Sequence, residues 1–335
     1  MIARPLPHPQ FTKSSRAREL RLPWESGGIA ELVRAGLSGM PKSLPPKLFY
    51  DARGSELFDE ITRLPEYYLT RTELGILSEN AREIAECVGA NVSVIELGAG
   101  SAEKTPVILE AVLRRQLRLA YVPIDVSEEA LQFAKRRLRA QFKRVHVRPV
   151  VADYTSDLSA LRAVRGRKLV LYIGSSIGNF SAEDSARTLS QLRQELAPGD
   201  ALLLGTDLRK EECVLVAAYD DAAGVTAQFN KNVLARINRE LGGRFDLDRF
   251  RHVAAWNAEL SAMQMFLQSV AAQRVEISAL GMQVDFAEGE RIHTENSFKY
   301  TQGAVESLLS GAGLQRERTW TDAKSWYAVH LARVR

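Results

Sequence analysis

The segment at residues 92–105, VSVIELGAGSAEKT, constrains the fold of this chain more than any other. A run of apolar residues ends in Glu96-x-Gly98-x-Gly100, and a helical pattern follows at once. Glycines at such a turn let the backbone pass close to a ligand, because no Cβ stands in the way. The pattern predicts a strand, a glycine turn and the start of a helix, which is where doubly wound sheets bind nucleotide-like cofactors.

Apolar and amphipathic segments alternate regularly through residues 92–206. Strands are predicted at 93–98, 119–124, 145–151, 168–173 and 201–206, and helices at 102–116, 127–141, 155–164 and 181–196. Near-continuous apolar strands that alternate with helices predict an α/β fold, with a parallel sheet covered by helices on both faces. A helix at 301–313 followed by antiparallel strands at 314–322 and 325–334 resembles the end of a Rossmann-like class I methyltransferase sheet.

The alternation stops after Asp207 and resumes near the C-terminus. Residues 209–241 indicate helices that end at Gly242-Gly243, and strand-like patterns follow, including 262–270. We therefore expect an inserted α+β substrate-binding domain. The predicted division is a flexible basic leader at 1–25, a methyltransferase sheet domain at 73–207 and 298–335, and an auxiliary substrate-binding domain at 26–72 and 208–297.

Composition argues against several classes of protein. Of the 335 residues, 45% are apolar and 26% are charged, which is typical of a globular chain. Much of the net charge of +4 comes from the leader, so a nucleic-acid-binding surface is not supported. Cys87 and Cys213 lie far apart in the sequence, which suits a reducing compartment. No apolar stretch reaches the ~18 residues of a membrane span. We expect a cytoplasmic monomer with no metal, nucleic-acid or membrane partner.

Polar side chains follow several of the predicted strands. Asp125 follows the second strand, where a carboxylate can accept hydrogen bonds from a ribose diol or can cap the following helix. Asp153 and Tyr154 follow the third strand and suit an adenine ring, but aspartate is also common in loops. Asn179, in the loop IGSSIGNF, offers a donor and an acceptor to an amino acid backbone. Ser181, close by, suits a helix cap.

The glycine turn favours S-adenosylmethionine over NAD. Glu103 stands where a dinucleotide fingerprint has its third glycine, and Glu96 places an acid just before the turn. A sulfonium cation prefers acidic and aromatic surroundings, and without a pyrophosphate to bind the third glycine is dispensable. S-adenosylmethionine is therefore the expected cofactor. An NAD-binding dehydrogenase or a regulatory Rossmann module is the competing hypothesis.

Six segments together resemble the L-histidine Nα-methyltransferases of ergothioneine biosynthesis. They are FYDARGSELFDEITRLPEYYLTRTE, ELGAGSAEKT, PIDVSE, IGSSIGNF, YDDAAGVTAQFNKNVLARINRELGG and ENSFKY. The resemblance covers residues 40–335, and the combination is far more specific than any single motif. It implies trimethylation of the α-amino group of L-histidine to hercynine, with S-adenosylmethionine as the methyl donor, as the first step of ergothioneine biosynthesis.

The resemblance also implies roles for individual residues. The implied cofactor contacts are Gly98 and Lys104 at the methionine portion, Asp125 at the ribose, and Asp153 with Tyr154 at the adenine. The implied substrate contacts are Tyr50, Tyr67, Asn179 and Tyr219 at the amine and carboxylate, Glu295 and Ser297 at the imidazole, and Met265 lining the side-chain pocket. Asn179 and Tyr50 would aim the lone pair of the amine. The match leaves open whether Tyr67 or Tyr68 faces the pocket.

Alternatives to these assignments stay open. Without the resemblance, residues 294–297 would be interpreted as a helix cap or turn, with His293 as a bystander. Another amino acid or small amine as the substrate, or a non-catalytic binding protein, would also fit the sequence. The trio of Glu295, Ser297 and Met265 favours an imidazole, because a neutral imidazole has one nitrogen that donates and one that accepts.

Overall fold

The computed structural model describes residues 28–334, so the leader predicted at 1–25 lies outside the described residues. The helices are α1 (Ile29–Ser38), α2 (Ala52–Ile61), α3 (Tyr68–Val88), α4 (Thr105–Leu113), α5 (Glu128–Gln141), α6 (Ala182–Gln194), α7 (Glu212–Tyr219), α8 (Val225–Leu241) and α9 (Gln302–Gly311). The strands are β1 (Val92–Leu97), β2 (Leu119–Asp125), β3 (Val145–Val147), β4 (Val150–Val151), β5 (Arg167–Tyr172), β6 (Ala201–Asp207), β7 (Phe250–Asn257), β8 (Ala262–Ser269), β9 (Gln273–Ile277), β10 (Met282–Phe286), β11 (Arg291–Phe298), β12 (Leu314–Thr321) and β13 (Tyr327–Val334). Within the described residues, no helix has both the length and the apolar character needed to cross a membrane.

The main sheet has the strand order β12-β13-β6-β5-β1-β2-β3, and the short strand β4 also pairs with β2. Strands β6, β5, β1, β2 and β3 are parallel to one another, and β13 is antiparallel to both of its neighbours, β6 and β12. β6 is buried along its whole length, as expected for a strand covered on both faces. This order confirms the predicted α/β class and Rossmann-like sheet, including its antiparallel C-terminal strands.

The third predicted strand is interrupted. The run predicted as one strand at 145–151 forms β3 and β4, which pair with successive parts of β2. Between them Arg148 donates its backbone N–H to the carbonyl of Tyr121, whereas Pro149 has no N–H to donate. The break therefore falls at the proline.

The prediction of a helix at 155–164 is wrong. Asp153 and Asp157 each accept the backbone N–H two residues further on, so their side chains bend the backbone where a helix would have begun. Only a 3-10 turn forms there, at Ser159–Ala163. Aspartate oxygens compete with the helical hydrogen-bond pattern in this segment and prevail.

A second, antiparallel sheet has the order β11-β8-β7, and β9 pairs with β10 as a separate hairpin. These strands pack with α1, α2, α7 and α8 around one hydrophobic cluster, which is drawn from residues 33–69 and 215–292. Two further clusters cover the faces of the main sheet: Val94 belongs to one and its neighbour Ile95 to the other. Successive residues of a strand point to opposite faces, so the main sheet is covered on both sides.

The predicted cofactor and loop residues follow the carboxyl ends of the parallel strands. Gly98 follows β1, Asp125 ends β2, Asp153 follows β4 and Asn179 lies in a 3-10 turn after β5. Because the carboxyl ends of parallel strands lie along one edge of the sheet, the fold brings these four residues to the same edge.

Candidate active site

The glycine turn after β1 has a backbone shape that requires glycine. Gly98 and Gly100 have φ angles of 65° and 49°, in the left-handed region. A Cβ built at Gly98 would lie 3.3 Å from the Tyr154 ring. The amide of Gly100 donates to Asp125 Oδ2 at 2.9 Å. The turn is thus packed between Tyr154 and Asp125, both of them predicted cofactor residues.

Asp125 does not cap the helix that follows it. Ser127 caps α5 by accepting the amide of Ala130, and Asp125 Oδ1 accepts the amide of Ser127 at 2.9 Å. The alternative interpretation of Asp125 as an N-cap is therefore wrong. Each carboxylate oxygen takes one backbone N–H and retains a lone pair, so Asp125 is held rigidly and can still accept from a ligand.

Asp153 and Tyr154 form a polar and an aromatic surface next to the turn. Asp153 Oδ1 accepts the amide and hydroxyl of Thr155 at 3.0 and 2.5 Å, while Oδ2 has no partner within the part of the chain that the structure describes. Tyr154 packs edge-on against Tyr172, with ring centroids 5.6 Å apart. Burial raises the pKa of the Tyr154 phenol, so it stays protonated. Together the two residues offer one unpaired acceptor, Asp153 Oδ2, beside the aromatic ring of Tyr154.

Glu96 is buried and connects two elements of the main sheet domain. Its side chain is 3% exposed; it accepts a hydrogen bond from Thr105 Oγ1 at 2.6 Å and another from the hydroxyl of Tyr121. Burial raises the pKa of Glu96 to about 7. The carboxylate joins the start of α4 to β2, so the expectation that Glu96 supplies acidic surroundings to a sulfonium has no support in this geometry.

Lys104 belongs to a buried network that sequence reasoning missed. Its ammonium pairs with Glu73, which has no exposed surface. The Glu73 carboxylate also accepts the amide of Gly174 at 2.9 Å and the hydroxyl of Tyr327 at 2.8 Å. No local motif marked Glu73, because its partners lie in three distant segments. Glu73 ties Lys104 to Gly174, in the loop that carries Asn179.

The loop after β5 is held against the second sheet. A Cβ built at Gly178 would lie 2.9 Å from the carbonyl oxygen of Phe298, at the end of β11. Ser181 caps α6 by accepting the amide of Asp184 at 3.1 Å, as predicted. Asn179 is half-buried, and its side-chain amide has no hydrogen-bond partner among residues 28–334. Ser181 accepts a backbone N–H at the start of α6, so the side-chain amide of Asn179 is not needed as a cap and remains free for a ligand.

An aromatic wall is formed by Tyr50, Phe58, Tyr67 and Tyr219. The ring centroids of Tyr50 and Phe58 are 5.9 Å apart, those of Phe58 and Tyr67 are 6.3 Å apart, and those of Tyr67 and Tyr219 are 6.5 Å apart. Tyr50 is 39% exposed, yet burial and then the charge of Glu295 raise the pKa of its phenol well above the usual value. The exposed part of the Tyr50 ring marks the solvent-facing side of this wall, which is called the cleft below.

The two neighbouring tyrosines 67 and 68 differ in what their hydroxyls contact. The hydroxyl of Tyr68 donates to the buried carboxylate of Asp207 at 2.8 Å and accepts from Lys210 at 2.6 Å. Tyr67 packs instead against Phe58 and Tyr219 in the aromatic wall. The Tyr67 ring therefore belongs to the aromatic wall, whereas the Tyr68 hydroxyl belongs to the charged cluster of Asp207 and Lys210.

Glu295 presents an unpaired carboxylate. It lies in β11 directly opposite Met265 of β8, after a register shift at Thr294 whose hydroxyl bonds to the carbonyl of Met265. The alternative of a helix cap or turn at 294–297 is therefore wrong. Glu295 is half-buried and makes no hydrogen bond or ion pair within residues 28–334. Burial raises its pKa to about 7, and the charge of Lys299 offsets this only in part.

Ser297 lies two residues further along β11 and is engaged by a lysine that sequence reasoning missed. Its Oγ accepts from the hydroxyl of Tyr219 at 2.7 Å and from Lys299 Nζ at 2.9 Å. Lys299 also pairs with Asp207 Oδ2 at 2.7 Å. Alternation in ENSFKY, which puts Glu295, Ser297 and Lys299 at every second residue, is the signal that could have revealed the lysine.

Tyr50 connects the two halves of the site. The charges of Glu295 and Asp125 both raise the pKa of the Tyr50 phenol, and so do Tyr67 and Tyr154. Electrostatic effects of this kind weaken with distance, so residues predicted for the cofactor and residues predicted for the substrate both lie near the Tyr50 phenol. Among the described residues, no cluster of three or more His, Cys, Asp or Glu side chains could hold a metal ion.

Comparison with known proteins gives one family. A family model described as histidine-specific, SAM-dependent methyltransferase matches residues 29–334. A histidine N-alpha-methyltransferase of Mycolicibacterium smegmatis is 48% identical, over 90% of this chain and 93% of that protein. The protein of the same name from Mycobacterium tuberculosis is 45% identical over the same shares. Ergothioneine biosynthesis protein 1 of Neurospora crassa is 31% identical, over 87% of this chain and 33% of its own length.

Proposed function

This chain belongs to the family of histidine-specific, S-adenosylmethionine-dependent methyltransferases, and from that premise we propose that it transfers three methyl groups to the α-amino group of L-histidine to give hercynine. The predictions of a methyltransferase and of S-adenosylmethionine as its cofactor are confirmed by the family match. The name of the Neurospora relative supports a place in ergothioneine biosynthesis.

The observation that carries the choice of histidine is the pairing of Glu295 with Ser297. An unpaired carboxylate and a hydroxyl lie two residues apart on β11, opposite Met265 and Met263 of β8. A neutral imidazole needs one acceptor for its N–H and one donor for its other nitrogen. Glu295 can accept and Ser297 can donate, with methionine side chains packed beside them.

The other end of the cleft fits an adenosyl group. Gly98 leaves room beside Tyr154 that a Cβ would fill, Asp125 keeps acceptor capacity for a ribose diol, and Asp153 Oδ2 is free to accept from an adenine amino group. Lys104 would lie at the methionine portion. When bound, S-adenosylmethionine supplies an activated methyl group, so the residues of the chain bind, orient and desolvate the amine.

Asn179 and Tyr50 are the residues that we propose aim the amine. The amide oxygen of Asn179 can accept from the amine, and the partly exposed phenol of Tyr50 can contact it as well. The amine must be neutral to attack. As methyl groups accumulate, the nitrogen becomes a bulky cation, and the faces of Tyr50, Tyr67 and Tyr219 suit a cation of that kind.

The domain division, location and oligomeric state remain part of the proposal. The separate hydrophobic cluster drawn from residues 33–69 and 215–292 supports an auxiliary substrate-binding domain at 26–72 and 208–297. The scarcity of cysteine supports a cytoplasmic location. We propose that the chain acts as a monomer on a small-molecule substrate.

The experiment that tests this function is a panel assay with labelled S-adenosylmethionine. Each amino acid and several small amines are incubated singly with the protein, and the transfer of label is measured. We expect L-histidine to accept label with the highest kcat/KM. If another amino acid or a small amine is the preferred acceptor, the proposal for histidine is overturned and the alternative N-methyltransferase is favoured.

A further inference from the structure

Tyr219, one of the proposed substrate residues, is held through its backbone as well as through its side chain. It is the last residue of α7 and is 6% exposed. Its carbonyl oxygen lies 2.8 Å from Nε2 of His252, in β7. The last carbonyls of a helix have no partner within that helix, and a buried carbonyl without a partner is costly. His252 therefore completes the end of α7 at the residue that carries the hydroxyl.

The position of the His252 ring proton is set by Asn230, in α8. Asn230 Nδ2 lies 3.0 Å from the carbonyl oxygen of Phe266 and 2.8 Å from His252 Nδ1. A carbonyl oxygen only accepts, so the amide presents its nitrogen there, and the second N–H of that nitrogen donates to Nδ1. Nδ1 therefore carries no proton, and the ring proton lies on Nε2. The Tyr219 carbonyl at the other end of the ring requires the same tautomer.

The imidazole of His252 stays neutral. Burial lowers its pKa, and the hydrogen bond to Tyr219 and the charges of Asp220 and Asp221 offset only part of that effect. An imidazolium would also carry an N–H on Nδ1, which would face the N–H of Asn230 with no acceptor between them. The ring is thus fixed in charge and in tautomer, and its one N–H is committed to the Tyr219 carbonyl.

We propose that His252 is a positioning residue, which fixes the end of α7 by donating to the Tyr219 carbonyl and so holds the Tyr219 hydroxyl in place for the substrate. This inference rests on the proposed function, because it takes Tyr219 as a residue that contacts histidine. The hydroxyl itself donates to Ser297 Oγ at 2.7 Å and accepts from Lys299 Nζ at 2.8 Å. These two bonds hold the tip of the side chain, whereas His252 holds the backbone from which it extends.

His330 provides a matched control, because it is a second buried histidine in a strand. It has no exposed surface, and its two ring nitrogens each lie 3.0 Å from a hydroxyl, that of Thr206 and that of Thr319. Burial lowers its pKa to about 4. Within residues 28–334 it makes no hydrogen bond to Tyr219. His330→Leu therefore removes a buried imidazole from the main sheet and leaves the anchor of Tyr219 intact.

The first test measures kcat and KM for L-histidine in His252→Leu, His252→Gln and His330→Leu. Leucine fills the space of the ring without a donor, whereas glutamine keeps an N–H at the end of its side chain. We expect KM to rise on the order of fivefold in His252→Leu, because the Tyr219 carbonyl loses its partner and turns towards another donor. In His252→Gln and in His330→Leu, KM should stay within about twofold of its value in the unchanged protein. A merely structural loss would reduce the amount of active protein and so the measured kcat, and it would leave KM as it is.

The second test detects the tautomer directly and needs no substrate. Nitrogen NMR of the protein with isotope-labelled histidine should show His252 protonated on Nε2 and unprotonated on Nδ1 at pH 6.5, the ordinary pKa of histidine. The signals are assigned by their loss in His252→Gln.

A His252 ring that is protonated on Nδ1, or that is mostly imidazolium at that pH, would overturn the inference even if His252→Leu does not fold. An unchanged KM in His252→Leu would overturn it too, as would an equal rise of KM in His252→Gln or in His330→Leu. If the unchanged protein methylates another amine and not histidine, the proposed function itself is overturned, and this is seen before any variant is made.

Discussion

Lys104 pairs through its ammonium group with the fully buried carboxylate of Glu73. Glu73 lies in α3, while its other partners, Gly174 and Tyr327, lie after β5 and at the start of β13. One carboxylate therefore fixes the glycine-turn lysine and the Asn179 loop relative to each other. The lysine proposed for the cofactor and the loop proposed for the substrate therefore depend on the same buried charge.

Replacing this carboxylate should affect both stability and cofactor affinity. In Glu73→Gln we expect the free energy of unfolding to fall by about 3 kcal/mol, because Lys104 loses its buried partner. The affinity for S-adenosylhomocysteine should fall as well, since Lys104 is no longer held. Urea denaturation and calorimetric titration measure the two effects. Glu110→Gln is the control, because its exposed pair with Arg114 contributes at most about 1 kcal/mol. Unchanged affinity in Glu73→Gln would contradict the role assigned to the pair.

Tyr67 and Tyr68 should respond to the same substitution in opposite ways. Tyr68→Phe removes a hydrogen bond to the buried Asp207, so we expect a loss of about 2 kcal/mol in the free energy of unfolding and little change in KM for histidine. Tyr67→Phe should raise KM for histidine with little change in stability, because the ring lies in the aromatic wall and its hydroxyl makes no hydrogen bond within the described residues. Thermal unfolding and steady-state kinetics on both variants check this. The reverse pattern would mean that Tyr68 is the residue that faces the substrate.

The Glu295 carboxylate should lower the free energy of unfolding of the substrate-free protein, and the size of this effect should depend on pH. Burial raises its pKa from the ordinary value of 4.5 to about 7. A raised acid pKa means that the folded state binds more protons than the unfolded state between these values, so stability falls as pH rises through that window. In Glu295→Gln we expect a gain of about 2 kcal/mol near pH 8 and less than about 1 kcal/mol near pH 5, together with a large loss of kcat/KM for histidine.

Chemical denaturation at the two pH values measures the first effect, and Glu288→Gln serves as the control because that side chain is exposed. A Glu295→Gln protein that is no more stable near pH 8 than the unchanged chain would show that the carboxylate is not held in a desolvated position.

The sheet could be predicted from the sequence because its strands are buried on both faces. A strand such as Ala201–Asp207 meets no solvent, so its apolar run is continuous and stands out. The roles of Ser181 and Asn179 could likewise be told apart from the sequence. A capping serine lies at the start of a helix whether or not a ligand binds nearby, so Ser181 could be assigned as the cap and Asn179 as a residue with a free amide. These features depend on neighbours in sequence or on uniform burial.

The polar half of the site could not be predicted in the same way. Thr294 to Ser297 carry the polar composition of a turn because some of their side chains face a cleft and others bond to neighbouring strands. Glu73 and Tyr327 are 254 positions apart in the chain and meet only after the sheet has formed. Lys299 owes its role to Asp207, which no local pattern connects to it. Networks of this kind depend on tertiary contacts, and only the folded structure reveals them.

The most direct test of the account is to identify the product formed from L-histidine and S-adenosylmethionine. Tandem mass spectrometry of the reaction mixture counts the methyl groups and places them on the molecule. We predict three methyl groups, all on the α-nitrogen, with an unmodified imidazole ring, because the proposed function has Glu295 and Ser297 hold the ring while Asn179 and Tyr50 present the amine. Methylation of a ring nitrogen, or no methylation of histidine, would contradict the account.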